Sequence, residues 1–198
     1  MLSKAGGPLV VVGMTVLLLA FGNESASAQQ RSFLDPAHDV VLTAKATPLA
    51  HRREGDVRRA VVRYGPHRIG VVMHFRELRP DHRFEIGGNF KNPETGFSPL
   101  LAVWRPKHPH RPSVGVGGDE SYRCTQPRGD KQRHETIRTR TNYTANTIYI
   151  SFWRGCIGSP DWIRANLVAV ARSGPRKQGS DWVSYPTKGS FSRRLYAG

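Results

Sequence analysis

Hydrophobic and polar residues alternate with a period of two through much of the chain that follows residue 28. Residues 57–64 (VRRAVVRY) and 68–75 (RIGVVMHF) are two such runs, separated by Gly65-Pro66-His67. Strict alternation is typical of strands that bury one face, and a short Gly/Pro connection is typical of a hairpin. Residues 134–141 and 147–153 are a second pair of runs, so we predict two hairpins.

Other segments also have the length and composition of strands, being rich in β-branched or aromatic residues and bounded by turn-forming residues. We predict strands at residues 40–47, 83–90, 100–104 and 163–172, and a short strand around Tyr122 and Cys124. Short strands at this spacing predict an all-β fold, a single antiparallel β-sandwich of jelly-roll-like form.

Two segments interrupt this pattern. Residues 106–112 contain three prolines, which remove backbone donors and should break regular structure. Residues 173–190 are rich in Gly, Ser, Pro and Lys and are predicted to be loop. We therefore expect a sandwich domain at residues 29–172 and a loop-rich tail at 173–198, docked on the domain through Trp182 and Phe191.

The first 28 residues have the features of a secretory signal peptide. Lys4 provides a positive start, residues 6–22 are almost wholly apolar, and Ala26-Ser27-Ala28 fits the small-residue cleavage rule. The apolar stretch is shorter than a typical membrane span. We predict cleavage before Gln29 and a secreted or cell-envelope protein that has no membrane attachment after cleavage.

Cys124 and Cys156 are the only two cysteines in the sequence. An even number of cysteines in an exported chain favours a disulfide, and neither cysteine belongs to a C-x-x-C pair. We predict a disulfide between them. In the chain-entropy model, closing this loop would stabilise the folded protein by about 3–4 kcal/mol.

Positive charge is the largest departure from average composition. The chain has 30 Lys and Arg against 15 Asp and Glu, a formal net charge of +15, and 23 of the basic residues are Arg. Arg suits bidentate contacts with phosphates and carboxylates. The densest pairs are Arg52-Arg53, Arg58-Arg59 and Arg193-Arg194, and an anionic envelope polymer or acidic polysaccharide is the expected partner, without specific nucleic-acid recognition. The alternative is that Arg merely fills the solvated face of each strand.

The sequence resembles a group of small secreted proteins of high-GC Gram-positive bacteria. The resemblance rests on Asp35-Pro36-Ala37-His38-Asp39-Val40, on Gly55-Asp56-Val57 before an alternating hairpin, and on Cys156-Ile157-Gly158-Ser159-Pro160-Asp161-Trp162-Ile163-Arg164-Ala165. It covers most of residues 35–170. The group is similar in outline to carbohydrate-binding and DOMON-like sandwiches, which implies a β-sandwich and export but no particular activity.

Three acidic residues, Asp35, Asp39 and Asp56, are candidate Ca²⁺ ligands, because this ion takes six to eight oxygen ligands. The alternative, which the dipeptides Asp-Pro and Gly-Asp favour, is ordinary turn chemistry. A weaker metal candidate is His108-Pro109-His110 with His82 or His134.

The aromatic residue expected to be most exposed is Trp104, beside the proline-rich segment, where it would offer a stacking surface for a neutral sugar. Packing in the core is the alternative for Trp104, and packing over the disulfide is expected for Trp153 and Trp162. No nucleophile-elbow, zinc-protease, P-loop or dinucleotide motif is present. The sequence thus favours a non-catalytic protein, with a neutral-glycan binder or a hydrolase of unrecognised site as alternatives.

Overall fold

Fourteen strands and one 3₁₀ turn form the regular structure of the residues that the computed structural model describes. These residues are 28–35, 41–42, 47–48, 55–93, 96–118, 121–126, 136–172, 178–183 and 190–198. The strands are β1 (Gln29–Leu34), β2 (Val41–Leu42), β3 (Thr47–Pro48), β4 (Val57–Tyr64), β5 (Arg68–Phe75), β6 (Arg83–Asn92), β7 (Gly96–Arg105), β8 (His108–Gly118), β9 (Ser121–Gln126), β10 (Ile137–Asn142), β11 (Thr147–Trp153), β12 (Trp162–Arg172), β13 (Gln178–Val183) and β14 (Leu195–Tyr196). The 3₁₀ turn is Arg154–Ile157.

The strands form two antiparallel sheets that pack face to face. The five-stranded sheet has the order β1-β4-β5-β11-β10. The larger sheet has the order β3-β2-β13-β12-β6-β7-β8-β9, and β14 pairs with β12 beside this path. The prediction of a single antiparallel β-sandwich is confirmed.

The core lies between the two sheets and is built from alternate residues of each strand. Phe90 of β6 and Phe152 of β11 meet across the sheets with ring centroids 5.3 Å apart, and Phe75 of β5 meets Phe84 of β6 at 5.0 Å. All four rings are buried. The period-two pattern therefore divides each strand into a core face and an outer face.

Both predicted hairpins are confirmed. β4 pairs with β5, and β10 pairs with β11. The strands predicted at residues 83–90, 100–104 and 163–172 are also present, extended by one to several residues into β6, β7 and β12.

Three predictions about local structure were wrong. Residues 178–183 form β13 rather than a loop, because their backbone pairs with that of β12 in the larger sheet. Residues 106–112 do not end regular structure: β8 begins at His108, and the register against β7 shifts where Pro109 and Pro112 fall. Such an irregularity accommodates residues that lack an N–H.

The third error concerns the start of the domain. The predicted strand at residues 40–47 is replaced by β2 and β3, which pair with each other, with Val41 opposite Pro48. Alternation also gives no signal for β1, because its sequence QQRSFL has no regular apolar period. β1 forms because the edge of β4 supplies backbone partners from Arg59 to Tyr64.

A disulfide joins Cys124 and Cys156, as predicted, with their Cα atoms 5.4 Å apart. Cys124 lies on β9, at one edge of the larger sheet, and the fully buried Cys156 lies in the 3₁₀ turn that follows β11. The bond therefore ties the larger sheet to the end of the five-stranded sheet.

A buried carboxylate holds the start of β4. Asp181 of β13 is fully buried, and its Oδ2 accepts the backbone N–H of Val57 at 2.6 Å. Beside it the buried Asp56 forms an ion pair with Arg76, with Nε 3.0 Å from Oδ2. Hydrogen bonds to a buried carboxylate are among the stronger ones in proteins, so the first residue of β4 has a fixed position between the sheets.

Removing the disulfide should lower the free energy of unfolding. The residues it joins are 32 apart in sequence, so a C124A/C156A variant should lose about 3–4 kcal/mol in the chain-entropy model. Guanidinium unfolding of the wild type and the variant measures the loss. Reduced wild-type protein is the matched control and should unfold at the midpoint of the variant. Equal midpoints for oxidised and reduced wild type would contradict a structural role for the bond.

Candidate surface for anion binding

The outer face of the five-stranded sheet is the most distinctive surface of the protein. Alternation sends every second residue of its strands to the core and leaves the residues between them facing outward. In register across the sheet, Arg63 is followed by Gly70, Ser151 and Arg138. The next row contains Val61, Val72, Tyr149 and Arg140, and the last contains Arg59, His74, Thr147 and Asn142.

The arginines of this face are exposed. Arg59 and Arg63 lie on β4, which is an inner strand, and Arg138 and Arg140 lie on the edge strand β10. None of the four makes an ion pair with a carboxylate among the residues that the structure describes. Their charge is therefore available to a ligand.

Strand β1 orients two of these side chains. Arg59 donates from Nε to the hydroxyl of Ser32 at 2.7 Å, and Arg63 donates from Nε to Oε1 of Gln30 at 2.8 Å. Each contact uses one of the five N–H groups of a guanidinium and leaves the others for a ligand. The polar sequence of β1, which gave no strand signal, thus acts as a support for the arginines of β4.

A β-bulge places Arg58 on the same face as Arg59. The register between β4 and β5 shifts between Val57 and Arg59, so two residues of β4 oppose one of β5. Val57 and Ala60 are both buried, and the two arginines between them are both exposed. In a regular strand, adjacent side chains point to opposite faces, and the bulge removes that constraint here.

The two arginines line an open cleft of about 310 Å³ at the end of the face. Its other lining residues are Leu34 from β1, His74 and Phe75 from β5, and Ala145 from the turn between β10 and β11. Leu34 is 77% exposed, which is unusual for a leucine. The cleft combines two guanidinium groups with an apolar rim.

His74 is held beside the arginines by Thr147. The Thr147 hydroxyl donates to the carbonyl of Ala145 at 3.0 Å and lies 3.4 Å from Nδ1 of His74. Partial burial, followed by the charges of Arg59 and Arg58, lowers the pKa of His74 below its usual value. The ring is therefore neutral at pH 7 when no anion is bound.

Arg68 lies at the other end of this face and has a structural role. Its Nε donates to the Ser151 hydroxyl at 2.9 Å, and Nη2 donates to the carbonyls of Ser151 and Thr136 at 3.0 and 3.3 Å. Burial and the nearby Arg138 lower the pKa of Arg68, while Tyr149 opposes that shift. This arginine connects β5 to β11 and to the residue before β10, so its hydrogen bonds serve the sheet itself.

Trp104, the residue named as the best candidate for an exposed aromatic platform, is buried. Its side chain is 1% exposed, packs beside Phe84 with ring centroids 6.1 Å apart, and donates from Nε1 to the Thr141 hydroxyl at 2.8 Å. The hydrogen bond satisfies the indole N–H, which allows the ring to be buried. Core packing, the alternative raised for Trp104, is what the structure contains.

The exposed aromatic residues of the arginine face are Trp153 and Tyr149, which are 54% and 36% exposed. Trp153 was expected to pack over the disulfide, and the structure places its ring against Gly155, the residue before Cys156. The period-two pattern of the sequence could have identified both residues, because each occupies an outward position of the alternating strand β11.

The structure describes two of the three candidate Ca²⁺ ligands, Asp35 and Asp56, while Asp39 lies outside the described residues. Asp56 is buried and paired with Arg76, and Asp35 follows β1 and donates its N–H to the carbonyl of Arg58. His110 packs edge-on against Tyr143 at 5.3 Å. Within the described part of the chain, no group of three His, Cys, Asp or Glu residues is placed to hold a metal ion.

Of the other two predicted arginine pairs, the structure describes Arg193-Arg194. Arg52 and Arg53 lie outside the described residues. Arg194 stacks over Trp162 at 4.4 Å, and its neighbour Arg193 is exposed just before β14. Of the two predicted pairs that the structure describes, Arg58-Arg59 lines the cleft.

Comparisons with protein-family models and with curated proteins find no match to this sequence. In the described portion of the chain, no helix has the length and hydrophobicity needed to cross a membrane.

The lowered pKa of His74 gives a direct test of this geometry. In the wild type the imidazole should titrate below the ordinary value of 6.5, and Arg59→Gln should raise its pKa because a nearby positive charge is removed. The contribution of His74 to folding stability is complete above its pKa in the unfolded chain. It is lost as pH falls through its pKa in the folded protein. NMR titration of the ring protons measures the pKa.

Arg63→Gln is the matched control, because it removes the same charge farther along β4 and should leave the His74 pKa unchanged. A wild-type pKa at or above the ordinary value would contradict the placement of His74 beside the two arginines.

Proposed function

We propose that this protein is a secreted, non-catalytic module that binds an anionic polymer along the outer face of its five-stranded sheet. The observation that supports the proposal is the single sign of charge on that sheet. Its strands contain seven arginines, one in β1, three in β4, one in β5 and two in β10, and no Asp or Glu.

Overall composition does not account for this distribution. The chain has one acidic residue for every two basic ones. A uniform mixture would therefore place about three or four carboxylates among strands that hold seven arginines, and proteins ordinarily intersperse the two signs on their surfaces. The absence of carboxylates from these strands therefore favours a positively charged binding surface over a simple excess of arginine.

The larger sheet provides the contrast within the same molecule. On its outer face Arg83 and Arg172 both pair with Glu85, at 2.8 and 3.4 Å. A surface that only needs to be soluble can thus neutralise its arginines locally. The arginines of β4 and β10 lack such partners among the described residues, so they concentrate positive potential at one face.

Protection of sheet edges explains only part of the pattern. Charged residues on an edge strand discourage pairing with other chains, and this accounts for Arg138 and Arg140 on β10. It does not account for Arg59 and Arg63, because β4 lies between β1 and β5. A ligand that contacts both strands explains both sets.

The spacing of these arginines suits an extended chain. β4 and β10 are three strands apart, which corresponds to about 14 Å. Between them lie the small residue Gly70 and the exposed ring of Tyr149. A polymer lying across the strands would meet arginines on both sides and an aromatic floor in the middle.

The aromatic residues favour a polymer that contains sugar or polyol units. Tyr149 and Trp153 provide exposed ring surface on the same face as the arginines. Rings of this kind add apolar contact that a bare phosphate chain cannot use. We therefore infer an acidic polysaccharide or an anionic cell-envelope polymer as the ligand.

Binding should depend steeply on salt and on the named arginines. An R63Q/R138Q/R140Q variant should bind a purified acidic polysaccharide or envelope polymer at least about tenfold more weakly at low salt. It should also show a shallower dependence of affinity on salt, because fewer counterions are released. Isothermal titration calorimetry across a salt series measures both quantities, with DNA and a neutral polysaccharide as comparison ligands.

The matched control is R83Q/K91Q/R105Q, which removes three charges from the outer face of the larger sheet and should keep most of the affinity. Equal losses in the two variants would show that net charge alone drives binding and would refute a dedicated face. Salt-independent binding to the neutral polysaccharide would instead support a neutral-glycan module. Breakdown of the polymer would support a hydrolase.

A further inference from the structure

The cleft at the bulge of β4 differs from the rest of the arginine face in being concave. Its volume of about 310 Å³ is at the small end of the range for ligand pockets. It therefore accommodates one unit of a polymer rather than a length of chain. The guanidinium groups of Arg58 and Arg59 contribute to one wall, and Leu34, Phe75 and Ala145 contribute apolar surface.

The bulge is what makes this arrangement possible. Without the extra residue, Arg58 and Arg59 would point to opposite faces of β4, and one of them would enter the core. With it, two adjacent guanidinium groups serve the same cleft, and Arg59 is already oriented by Ser32. Paired donors of this kind suit an oxyanion with several acceptor oxygens, whether phosphoryl or carboxylate.

We propose that this cleft is a subsite for a single anionic unit of the polymer. Protonated His74 donates a hydrogen bond to the anion, so binding in the cleft is tighter at acidic pH. The proposal rests on the proposed function for the identity of the polymer. The subsite itself requires only an oxyanion carried on a small uncharged group.

The hydrogen bond to Thr147 determines what His74 can do. The Thr147 hydroxyl has one hydrogen and lies 3.0 Å from the carbonyl of Ala145 and 3.4 Å from Nδ1 of His74. Both contacts are satisfied when the hydroxyl donates to the carbonyl and accepts from Nδ1–H. In that tautomer the neutral ring presents Nε2 as an acceptor, which an oxyanion avoids. Protonation converts Nε2 into a charged donor, which an oxyanion attracts.

The charges around His74 have the sign that such a switch needs. Arg58 and Arg59 face it from β4, whereas Leu34 of β1, Thr147 of β11 and Ala145 of the adjoining turn carry no charge. The carboxylates on the flanking backbone are those of Asp35 and Asp56. Asp56 is buried and paired with Arg76. A bound anion would therefore offset the two arginines and supply a partner for the imidazolium.

The direction of the pH effect follows from linkage. Because the anion favours the protonated ring, it raises the pKa of His74, and binding takes up a proton. Affinity then increases as pH falls from the bound-state pKa to the free-state pKa, by about tenfold for each unit that separates them. Below the free-state pKa the affinity levels off.

NMR titration of His74 tests the subsite directly. The probes are dimethyl phosphate and a methyl glucuronoside, which represent phosphodiester and carboxylate units and stay ionised from about pH 5 to 8, where histidine titrates. Each probe that fits the cleft should raise the His74 pKa. The probe with the larger effect identifies the source of the anionic unit, and a R58Q/R59Q variant should lose the effect for both.

Two variants separate this subsite from the rest of the face. His74→Gln should abolish the increase in affinity between neutral and acidic pH, because glutamine does not titrate in this range. Arg63→Gln should weaken polymer binding but preserve the response of His74 to the small probes. Circular dichroism spectra equal to that of the wild type establish that each variant is folded, and the wild-type titration itself requires no variant.

The outcomes for the subsite and for the proposed function are distinct. If the polymer binds with steep salt dependence while neither it nor the probes shift His74, the subsite is refuted and the proposed function stands. If no polymer binds but a small probe raises the His74 pKa through Arg58 and Arg59, the subsite stands and the polymer proposal fails.

Discussion

Each strand of the five-stranded sheet must bury one of its faces, and the rest of the structure depends on that constraint. The core between the sheets accepts the apolar residues of β4, β5 and β11, among them Val62, Val71 and Ile150. An arginine in these strands has no place there, because burying an unpaired guanidinium costs far more than an apolar contact returns. The arginines are therefore collected on the outer face, and a positive surface results from the way the core forms.

The cleft depends on a local exception to this alternation. Asp181 reaches from β13 to hold the N–H of Val57, so the beginning of β4 is tied to the other sheet. The bulge follows directly, and it turns Arg58 outward beside Arg59. The hydrogen bond between Asp181 and Val57, which are 124 positions apart in sequence, thus lies directly before the bulge. The candidate subsite depends on that bulge. The same strand continues to Arg63, so the subsite and the longer face share one support.

Hairpins and the disulfide were predictable because their signals are local or compositional. β4 and β5 alternate cleanly around a short turn, and a sequence with two cysteines leaves one pairing within the chain. The pair Arg58-Arg59 was also identified, on charge density alone. Trp104 was taken as a candidate for exposure because polar residues and a proline follow it in sequence, whereas its neighbours in space are Phe84 and Thr141. Burial is decided by those spatial contacts.

The sequence by itself determined that the protein would be all-β, since period-two alternation leaves each strand with one apolar face that another sheet must cover. It also determined the excess of arginine. Only the tertiary structure decided which arginines share a surface, because that depends on strand order and register across the sheet. Arg63 and Arg138 are far apart in sequence yet lie in one row, joined through Gly70 and Ser151 by backbone pairing between strands. Long-range hydrogen bonding, which no local pattern encodes, converts a scattered charge into a continuous face.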